Sequence, residues 1–253
     1  MREISSMGDS HLKPFDLTGR RILISGAAGG IGSEVARLCA GQGASLVLVD
    51  CADISTIRER VGEDIAKRST LHSIDTSSRT EVTELSRQVG AIYGLIDTVG
   101  ICPMDDWMAD DWDASLDRVL SVNIKTPINL TRAFFPAMQA QGEGRIVLCG
   151  SVAGWMGGVQ SGPHYAFSKG GLHAFVRWLA RRGAPSQVLV NGIAPGPVET
   201  AMTAGGNYNP DAYPLKRMAE PFEIASMAVF LCCPGASYAS GAIFDINGAI
   251  HYR

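Results

Sequence analysis

Short apolar runs that alternate with longer amphipathic stretches restrict the fold of this sequence more than any other feature. The runs are continuously apolar, as expected for strands of a sheet whose two faces are both covered. The stretches between them have helical spacing, which favours an α/β fold with a parallel, doubly wound sheet and helices on both faces. About seven strands are predicted, over residues 21–25, 44–50, 70–74, 95–98, 145–149, 187–193 and 242–246, and the clearest helices cover 31–41, 114–141, 164–182 and 221–232.

The chain of 253 residues is long enough for one domain with a large core, and no internal repeat or linker divides it. We expect an N-terminal extension over residues 1–16 and a single domain over residues 17–253. The loop over residues 203–214 is rich in glycine, proline and asparagine. A mobile lid is therefore expected at about residues 201–214.

Composition and charge exclude several classes of function. The net charge of −3 supplies no basic field, so we expect neither nucleic acid nor a membrane as a partner. No apolar run is long enough to span a bilayer. The six cysteines are scattered, without a CxxC pair or a secretion signal. This pattern is typical of reduced thiols in a cytoplasmic protein, and we expect no metal.

A glycine-rich turn follows the first predicted strand. Residues 25–32 read SGAAGGIG, which would let the backbone approach a pyrophosphate at the N-terminus of the next helix. A tight strand-to-helix turn without a ligand is the alternative interpretation. Asp50, at the end of the second strand, could accept hydrogen bonds from the adenosine ribose and would repel a 2′-phosphate. No Arg or Lys adjoins it to bind that phosphate, so we expect NAD rather than NADP.

A second group of residues has the chemistry of an acid–base site. Tyr165 and Lys169 are four residues apart, which places them on one face of a helix. A free tyrosine is a poor base because its pKa is about 10, but a nearby ammonium favours the phenolate. Ser151, just after a strand, could hold a substrate oxygen beside Tyr165. The alternatives are a core tyrosine beside a surface lysine, a turn-forming Ser151 and a buried structural Asn123.

The order of these motifs resembles that of the classical short-chain dehydrogenases/reductases, from about residue 17 to residue 250. Residues 25–32 match the family's TGxxxGxG turn with serine in place of threonine, and residues 165–169 match its YxxxK pair. Further matches are SIDT at Asp75, SVNI at Asn123, CGSVAG at Ser151 and NGIAPGPVET over residues 191–200. The resemblance implies a Rossmann fold and a nicotinamide cofactor.

The resemblance also assigns residues to roles. It implies that a Tyr165 phenolate takes the hydroxyl proton of the substrate, while Ser151 orients the same oxygen. Lys169 would bind the nicotinamide ribose and lower the pKa of Tyr165, and Asn123 would position a water for a proton relay. The catalytic residues are thus Asn123, Ser151, Tyr165 and Lys169. The expected cofactor-binding residues are Ser25, Gly26, Gly30, Ile31, Gly32, Asp50, Asp75, Thr76, Gly100, Tyr165, Lys169, Pro195, Gly196, Val198 and Thr200.

One turn departs from the family pattern. Asp97-Thr98-Val99-Gly100 stands where the family usually has Asn-Asn-Ala-Gly. A buried, unpaired carboxylate is costly, so we expect Asp97 to have a donor partner or contact with solvent.

The substrate is less well defined than the reaction. Residues expected near the pocket are mostly apolar or aromatic, which favours a small, apolar or cyclic secondary alcohol and its ketone. The expected substrate-binding residues are Ser151, Trp155, Gln160, Tyr165 and Met202, although core packing explains Trp155 equally well. A 3-oxoacyl-thioester (acyl-carrier-protein) reductase is the alternative function, and a non-catalytic, NAD-sensing regulatory protein is a further one.

The resemblance implies a homotetramer as well. One interface would use the helices that carry Asn123 and Tyr165, and another would use the final helix and strand. Apolar residues continue along the Tyr165 helix beyond what one sheet face needs, although core packing also explains them: Leu172, Phe175, Val176 and Leu179.

Overall fold

The computed structural model describes residues 13–158 and 160–252. Within these residues strands and helices alternate as the sequence predicts, which confirms the doubly wound α/β fold. The strands are β1 (Arg21–Ser25), β2 (Ser45–Asp50), β3 (Thr70–Ser73), β4 (Gly94–Asp97), β5 (Gly144–Cys149), β6 (Val188–Pro195) and β7 (Ile243–Ile246). The helices are α1 (Gly30–Gly41), α2 (Ile54–Val61), α3 (Glu63–Lys67), α4 (Arg79–Val89), α5 (Trp112–Leu120), α6 (Thr126–Gln141), α7 (Ala153–Met156), α8 (Pro163–Gly183) and α9 (Pro221–Phe230).

The sheet has the strand order β3-β2-β1-β4-β5-β6-β7, and each neighbouring pair is parallel. The chain moves outward from β1 to β3, returns to β4, and then moves outward on the other side. β1 and β4 are therefore the pair at which the direction reverses, and their register pairs Ser25 with Asp97. Loops that leave the carboxyl ends of such a pair diverge and open a crevice, where open α/β sheets bind ligands.

Two apolar cores cover the two faces of the sheet, because successive strand residues point to opposite faces. On β1, Ile22 and Ile24 belong to the core that packs against α1, α2 and α9. Leu23, between them, belongs to the core beneath α4, α6 and α8. Both sets of side chains are removed from water, which explains why the strands are continuously apolar in sequence.

Prolines begin three of the helices that cover the sheet. Pro163 and Pro221 lie in the first turns of α8 and α9, where a missing N–H breaks no helical hydrogen bond. Pro127 begins α6 just after a helical turn, to which it can donate no hydrogen bond. The predicted helix over residues 114–141 differs from the structure in one respect. A π-helical turn over Ser121–Lys125 separates α5 from α6, and sequence periodicity cannot reveal such an insertion.

The described part of the N-terminal segment packs on the domain. The Gly235 N–H donates to the Pro14 carbonyl over 2.9 Å, and the Phe15 ring lies 5.8 Å from that of Phe230. The remainder of the expected extension, residues 1–12, lies outside the described residues. In the described ranges, no helix is both long enough and apolar enough to cross a membrane.

Two glycines of α1 provide a matched test of the turn between β1 and α1. A Cβ on Gly32 would lie 2.0 Å from the Gly26 carbonyl oxygen, whereas a Cβ on Gly41 would meet no atom within 4 Å. We expect Gly32→Ala to lower the thermal unfolding midpoint by about 5 °C or more, because the turn must shift. Gly41→Ala should be neutral or stabilising by up to about 1 kcal/mol, since alanine favours helix. Circular dichroism melts of both variants check this, and a Gly32→Ala midpoint equal to that of the wild type would contradict it.

Candidate active site

The glycine-rich turn forms a surface without side chains at the carboxyl end of β1. Gly26 has a φ of +77°, which favours glycine, and a Cβ there would lie 2.7 Å from Thr98 Oγ1. Gly30 is covered by Thr200, whose Cγ2 would lie 2.8 Å from an added Cβ. The N-cap of α1 is Gly29, which has no side chain to bond the first N–H groups of the helix. A free helix N-terminus beside a bare backbone turn fits the pyrophosphate of a dinucleotide.

Asp50 ends β2 beside this turn. Its Oδ2 accepts from the Ala28 N–H over 2.9 Å, and its Oδ1 accepts from the Ala52 N–H over 3.0 Å. These two bonds hold the carboxylate at the edge of the crevice. Each carboxylate oxygen can accept further hydrogen bonds, so the arrangement fits the ribose hydroxyls expected from the sequence.

Arg60 approaches the same turn from α2, although no sequence motif marks it. Its Nε donates to the Ala28 carbonyl over 3.1 Å, while the Arg37 side chain bonds the Arg60 carbonyl. Arg37 and Arg60 line a surface cavity of about 650 Å³ that extends from Gly30 to the loop around Thr200. Arg60 could not be found from the sequence, because only the packing of α2 against α1 brings it to the turn.

The loop after β3 carries Asp75 and Thr76, two of the expected cofactor-binding residues. Asp75 Oδ1 accepts from the Ser77 N–H over 2.8 Å. The buried Thr76 hydroxyl lies 3.2 Å from that of Thr126, and the Asn129 side chain donates to the Thr76 carbonyl. The first turns of α6 thus hold this loop in place beside the crevice.

The expected catalytic residues come together at the carboxyl ends of β4 and β5. Lys169 is buried, and its Nζ donates to the Cys149 carbonyl over 2.8 Å. The same ammonium lies 5.7 Å from the centre of the Tyr165 ring. The Ser151 hydroxyl is near enough to the Tyr165 phenol to lower its pKa, so a substrate oxygen placed between them would meet both groups.

Asn123 lies within the π-helical turn that separates α5 from α6. Its Oδ1 accepts from the Ile101 N–H over 2.9 Å, and its Nδ2 donates to the Ile101 carbonyl over 3.0 Å and to Ser168 Oγ over 3.1 Å. These bonds join the loop after β4 to α8, which carries Tyr165 and Lys169. Irregular turns of this kind occur often at functional sites.

The pKa of Tyr165 differs from the sequence-based expectation. Burial of its hydroxyl raises the pKa above the usual value of tyrosine, and the hydrogen bond with Ser151 opposes the rise only in part. The motif predicts instead that Lys169 lowers this pKa. In the structure the Lys169 ammonium is directed to the Cys149 carbonyl rather than to the phenol oxygen, so the desolvation of Tyr165 dominates.

Asp97, which stands where the family usually has asparagine, has the hydrogen-bond donors that a buried carboxylate requires. The Ser25 hydroxyl donates to Asp97 Oδ1 over 2.6 Å, and the Val99 N–H donates to the same oxygen over 3.2 Å. Burial raises the pKa of Asp97, while these two bonds and the positive charge of Lys169 oppose the rise.

The nicotinamide end of the crevice is expected at the loop after β6. A Cβ on Gly196 would lie 3.0 Å from the Asn247 Cα, so the backbone beyond Pro195 passes close to the end of β7. The Thr203 hydroxyl donates to the Val198 carbonyl over 2.6 Å, which fixes the segment around Thr200. Pro195, Gly196, Val198 and Thr200 therefore lie along one edge of the crevice, across the glycine turn from Asp50.

The three side chains expected only at the substrate have different surroundings. The Trp155 ring packs 4.3 Å from that of His173, and its Nε1 donates to Asp245 over 3.1 Å. Gln160 donates to the Asn207 carbonyl of the expected lid, and Met202 is exposed. We therefore propose a packing role for Trp155 in place of the expected substrate contact.

Two residues outside the expected substrate-binding set lie near the Tyr165 phenol. Cys102 and Tyr208 both lie near enough to Tyr165 to influence its pKa. Burial raises the pKa of Cys102 to about 11, so its thiol is neutral near pH 7. The loops after β4 and β6 thus contribute a thiol and a phenol to the wall beside Tyr165.

His164, next to Tyr165 in the sequence, has a fully buried side chain that bonds within the protein. Its Nδ1 accepts from the Tyr165 N–H over 3.0 Å, and its Nε2 lies 3.3 Å from Asp105 Oδ2 and 3.4 Å from Ser115 Oγ. The Trp112 ring covers it at 5.1 Å. His164 thus joins the start of α8 to the loop after β4.

This site combines a bare backbone turn after β1, a carboxylate at the end of β2 and a Tyr–Lys–Ser–Asn cluster, all on a doubly wound sheet. Together these features are typical of a nicotinamide-dependent oxidoreductase. The chain belongs to the short-chain dehydrogenase/reductase family. A family model described as enoyl-(acyl carrier protein) reductase matches residues 26–251. The described residues contain no group of three or more side chains that could hold a metal ion.

Relatives with several different activities resemble this chain over almost its whole length. Galactitol 2-dehydrogenase (L-tagatose-forming) of Cereibacter sphaeroides is 35% identical over 244 residues, which cover 92% of this chain and 96% of the relative. Acetoacetyl-CoA reductase of Allochromatium vinosum is 35% identical over 246 residues, which cover 91% and 98%. A solved 3-oxoacyl-[acyl-carrier protein] reductase of Brucella melitensis with bound NAD has a TM-score of 0.83 and 25% identity, covering 99% of this chain and 98% of its own.

Replacement of Tyr165 by phenylalanine tests the central group of the site. We expect Tyr165→Phe to lower turnover by about 10³-fold or more, because the acid–base hydroxyl is lost while the ring remains. NADH binding, followed by fluorescence, should change little. Tyr238→Phe is the matched control, since Tyr238 is fully exposed and should keep wild-type rates. Substantial turnover by Tyr165→Phe would remove Tyr165 from the proton transfer.

Proposed function

We propose that this protein is an NAD(H)-dependent oxidoreductase that interconverts a secondary alcohol and a ketone on a small, largely apolar or cyclic substrate. The observation that carries the proposal is the cluster of Tyr165, Ser151 and Lys169 beside the glycine turn. The Ser151 hydroxyl is near enough to the Tyr165 phenol to influence its pKa, so both groups can contact one substrate oxygen. A turnover screen with a panel of secondary alcohols, following NADH, tests the proposal.

Each residue of the cluster has a distinct task in alcohol oxidation. Bound NAD supplies the hydride acceptor for the carbinol carbon. The Tyr165 phenolate takes the hydroxyl proton, and Ser151 orients the oxygen. Lys169 uses one N–H for the Cys149 carbonyl and has two more donors for ribose hydroxyls and a relay water. Asn123 fixes Ile101 and Ser168 around this relay.

Geometry at the end of β2 supports NAD over NADP. The Asp50 carboxylate is held in place by two backbone N–H groups. It would accept from ribose hydroxyls and repel a 2′-phosphate. Arg60 offers a positive charge at the outer side of the turn, but it is exposed and bonds the Ala28 carbonyl. We propose that Asp50 determines the preference and that Arg60 weakens it.

The cofactor preference is tested by steady-state kinetics with each cofactor. We expect kcat/KM with NAD to exceed that with NADP by about tenfold or more, because a contact to the ribose hydroxyls is lost and a phosphate is repelled. Asp50→Ala combined with Cys51→Arg should lower the ratio of kcat/KM with NAD to kcat/KM with NADP and so shift the preference toward NADP. Glu59→Gln removes an exposed acid of α2 and serves as the control. Faster wild-type turnover with NADP at equal concentration would contradict the assignment.

The raised pKa of Tyr165 predicts opposite pH profiles for the two directions. Alcohol oxidation needs the phenolate, whose fraction increases as pH rises toward the pKa. Ketone reduction needs the neutral phenol, whose fraction falls over the same range. Initial rates between pH 6 and about 10 should therefore rise for oxidation and fall for reduction. If the rates of oxidation and reduction both rose or both fell with pH, a group other than Tyr165 would control the proton transfer.

The wall beside Tyr165 supports an apolar or aromatic substrate. Cys102 is a neutral thiol, and Tyr208 adds an aromatic ring from the loop over residues 201–214. The Gln160 side chain bonds the Asn207 carbonyl of that loop. We propose that this loop is a lid whose closure excludes water from the reacting atoms.

A 3-oxoacyl-thioester reductase is the second candidate function, because two of the relatives reduce thioesters according to their names. Such an enzyme would need basic groups for its carrier. Arg217 pairs with both carboxylate oxygens of Glu223, over 2.6 and 2.7 Å, which disfavours a free basic patch there. Acetoacetyl-CoA, galactitol and cyclic alcohols tested side by side distinguish the candidates. A non-catalytic NAD sensor is disfavoured by the intact Tyr165 and Lys169.

We propose a cytoplasmic homotetramer that acts on a small-molecule alcohol or ketone. The outer face of α8 supports association, because Phe167 and Trp178 are 69% and 50% exposed there. Apolar surface of this size is unfavourable in water unless another subunit covers it.

Light scattering at micromolar concentration tests the assembly. We expect a mass four times that of the 26.9 kDa chain. Phe167→Glu should lower the mass, because a charge would be buried in the interface. Tyr238→Glu, on a fully exposed residue, should leave it unchanged. A wild-type monomer would contradict the proposal.

A further inference from the structure

Asp97 and Lys169 form an unusual combination of charges in the interior. Asp97 is 3% exposed and Lys169 is 4% exposed. Among the described residues they are the only carboxylate and the only ammonium that are buried. An isolated buried charge is costly, so each of these two opposite charges needs the other nearby.

The strands bring these two residues to the same place. Asp97 ends β4, and its register partner on β5 is Leu148, next to Cys149. The Cys149 carbonyl accepts from Lys169 Nζ. On the other side of Asp97, β1 contributes the Ser25 hydroxyl, whose oxygen lies 2.6 Å from the carboxylate. Asp97 therefore has a donor from β1 and a donor from its own loop, the Val99 N–H. The Lys169 ammonium lies beside the same loop, where a Cβ on Gly100 would be 3.2 Å from Nζ, and its charge acts on Asp97.

We propose that the Asp97 carboxylate is the counter-charge of Lys169 and biases the cofactor site toward the oxidised, positively charged nicotinamide. The inference rests on the proposed function, because it concerns NAD(H) in the same crevice. NAD⁺ and NADH differ by a positive charge on the nicotinamide ring. An uncompensated ammonium beside that ring would disfavour NAD⁺, whereas the Lys169–Asp97 pair has no net charge.

Separate dissociation constants for NAD⁺ and NADH test this inference without turnover. They are measured by calorimetry and fluorescence for the wild type, Asp97→Asn and Asp97→Ser. Asparagine keeps the size of the side chain and removes the charge, and serine provides a second neutral variant if the first folds poorly. Asp117→Asn removes an exposed acid from α5 and is the matched control.

We expect both Asp97 variants to raise the ratio of the NAD⁺ constant to the NADH constant by about five- to tenfold, because one buried negative charge is lost. The control should keep the wild-type ratio. A purely structural role would weaken both cofactors equally, and an unchanged or lowered ratio overturns the inference. Failure of the proposed function is distinguishable, because it would appear as absence of wild-type turnover with secondary alcohols, which is measured separately from the two dissociation constants.

Discussion

The change in strand order between β1 and β4, where the chain stops adding strands on one side of the sheet and begins on the other, is the constraint on which the site depends. Parallel strands present their carboxyl ends at one edge, and the reversal separates the loops that leave them. The glycine turn follows β1, the Asp97 turn follows β4, and Ser151 follows β5. Three adjacent strands thus bring a glycine turn, a buried acid and the Ser151 hydroxyl to one crevice.

Backbone groups, rather than other side chains, hold most of the catalytic residues. Lys169 bonds the Cys149 carbonyl, Asn123 bonds both polar groups of Ile101, and Asp50 accepts from the Ala28 N–H. The sheet and its loops fix the position of each backbone partner, so the side chains bonded to these partners are held in place as well.

Much of the fold could be predicted because each strand is apolar on both faces, and few architectures other than a sheet covered on both sides produce that pattern. The cluster of Tyr165, Lys169, Ser151 and Asn123 could be predicted from motif order. Arg60 and Cys102 could not, since they reach the site through packing of separate elements and carry no local signal, whereas Tyr208 lies in the loop whose glycine, proline and asparagine content predicts a lid. Trp155 shows the converse difficulty, because an aromatic residue near a motif looks the same in sequence whether it contacts substrate or the Asp245 side chain.

The pKa of Tyr165 shows a further limit of motif reasoning. The spacing of Tyr165 and Lys169 correctly places both on α8, but spacing contains no information on solvent or on the direction of the ammonium. In the structure, desolvation raises the pKa of Tyr165, and the Lys169 ammonium donates to the Cys149 carbonyl instead of the phenol oxygen.

The π-helical turn over Ser121–Lys125 has a consequence for how this chain tolerates changes in length. A π turn contains one residue more than a regular helical path, and each residue of an α-helix corresponds to a rotation of about 100°. Loss of a single residue here would bring α5 and α6 into one regular helix, in which Pro127 would be internal, without an N–H to donate and with its ring against the preceding turn. The amide of Asn123 would then point about a quarter-turn away from Ile101. The segment therefore tolerates a change in length neither as a helix nor as part of the site.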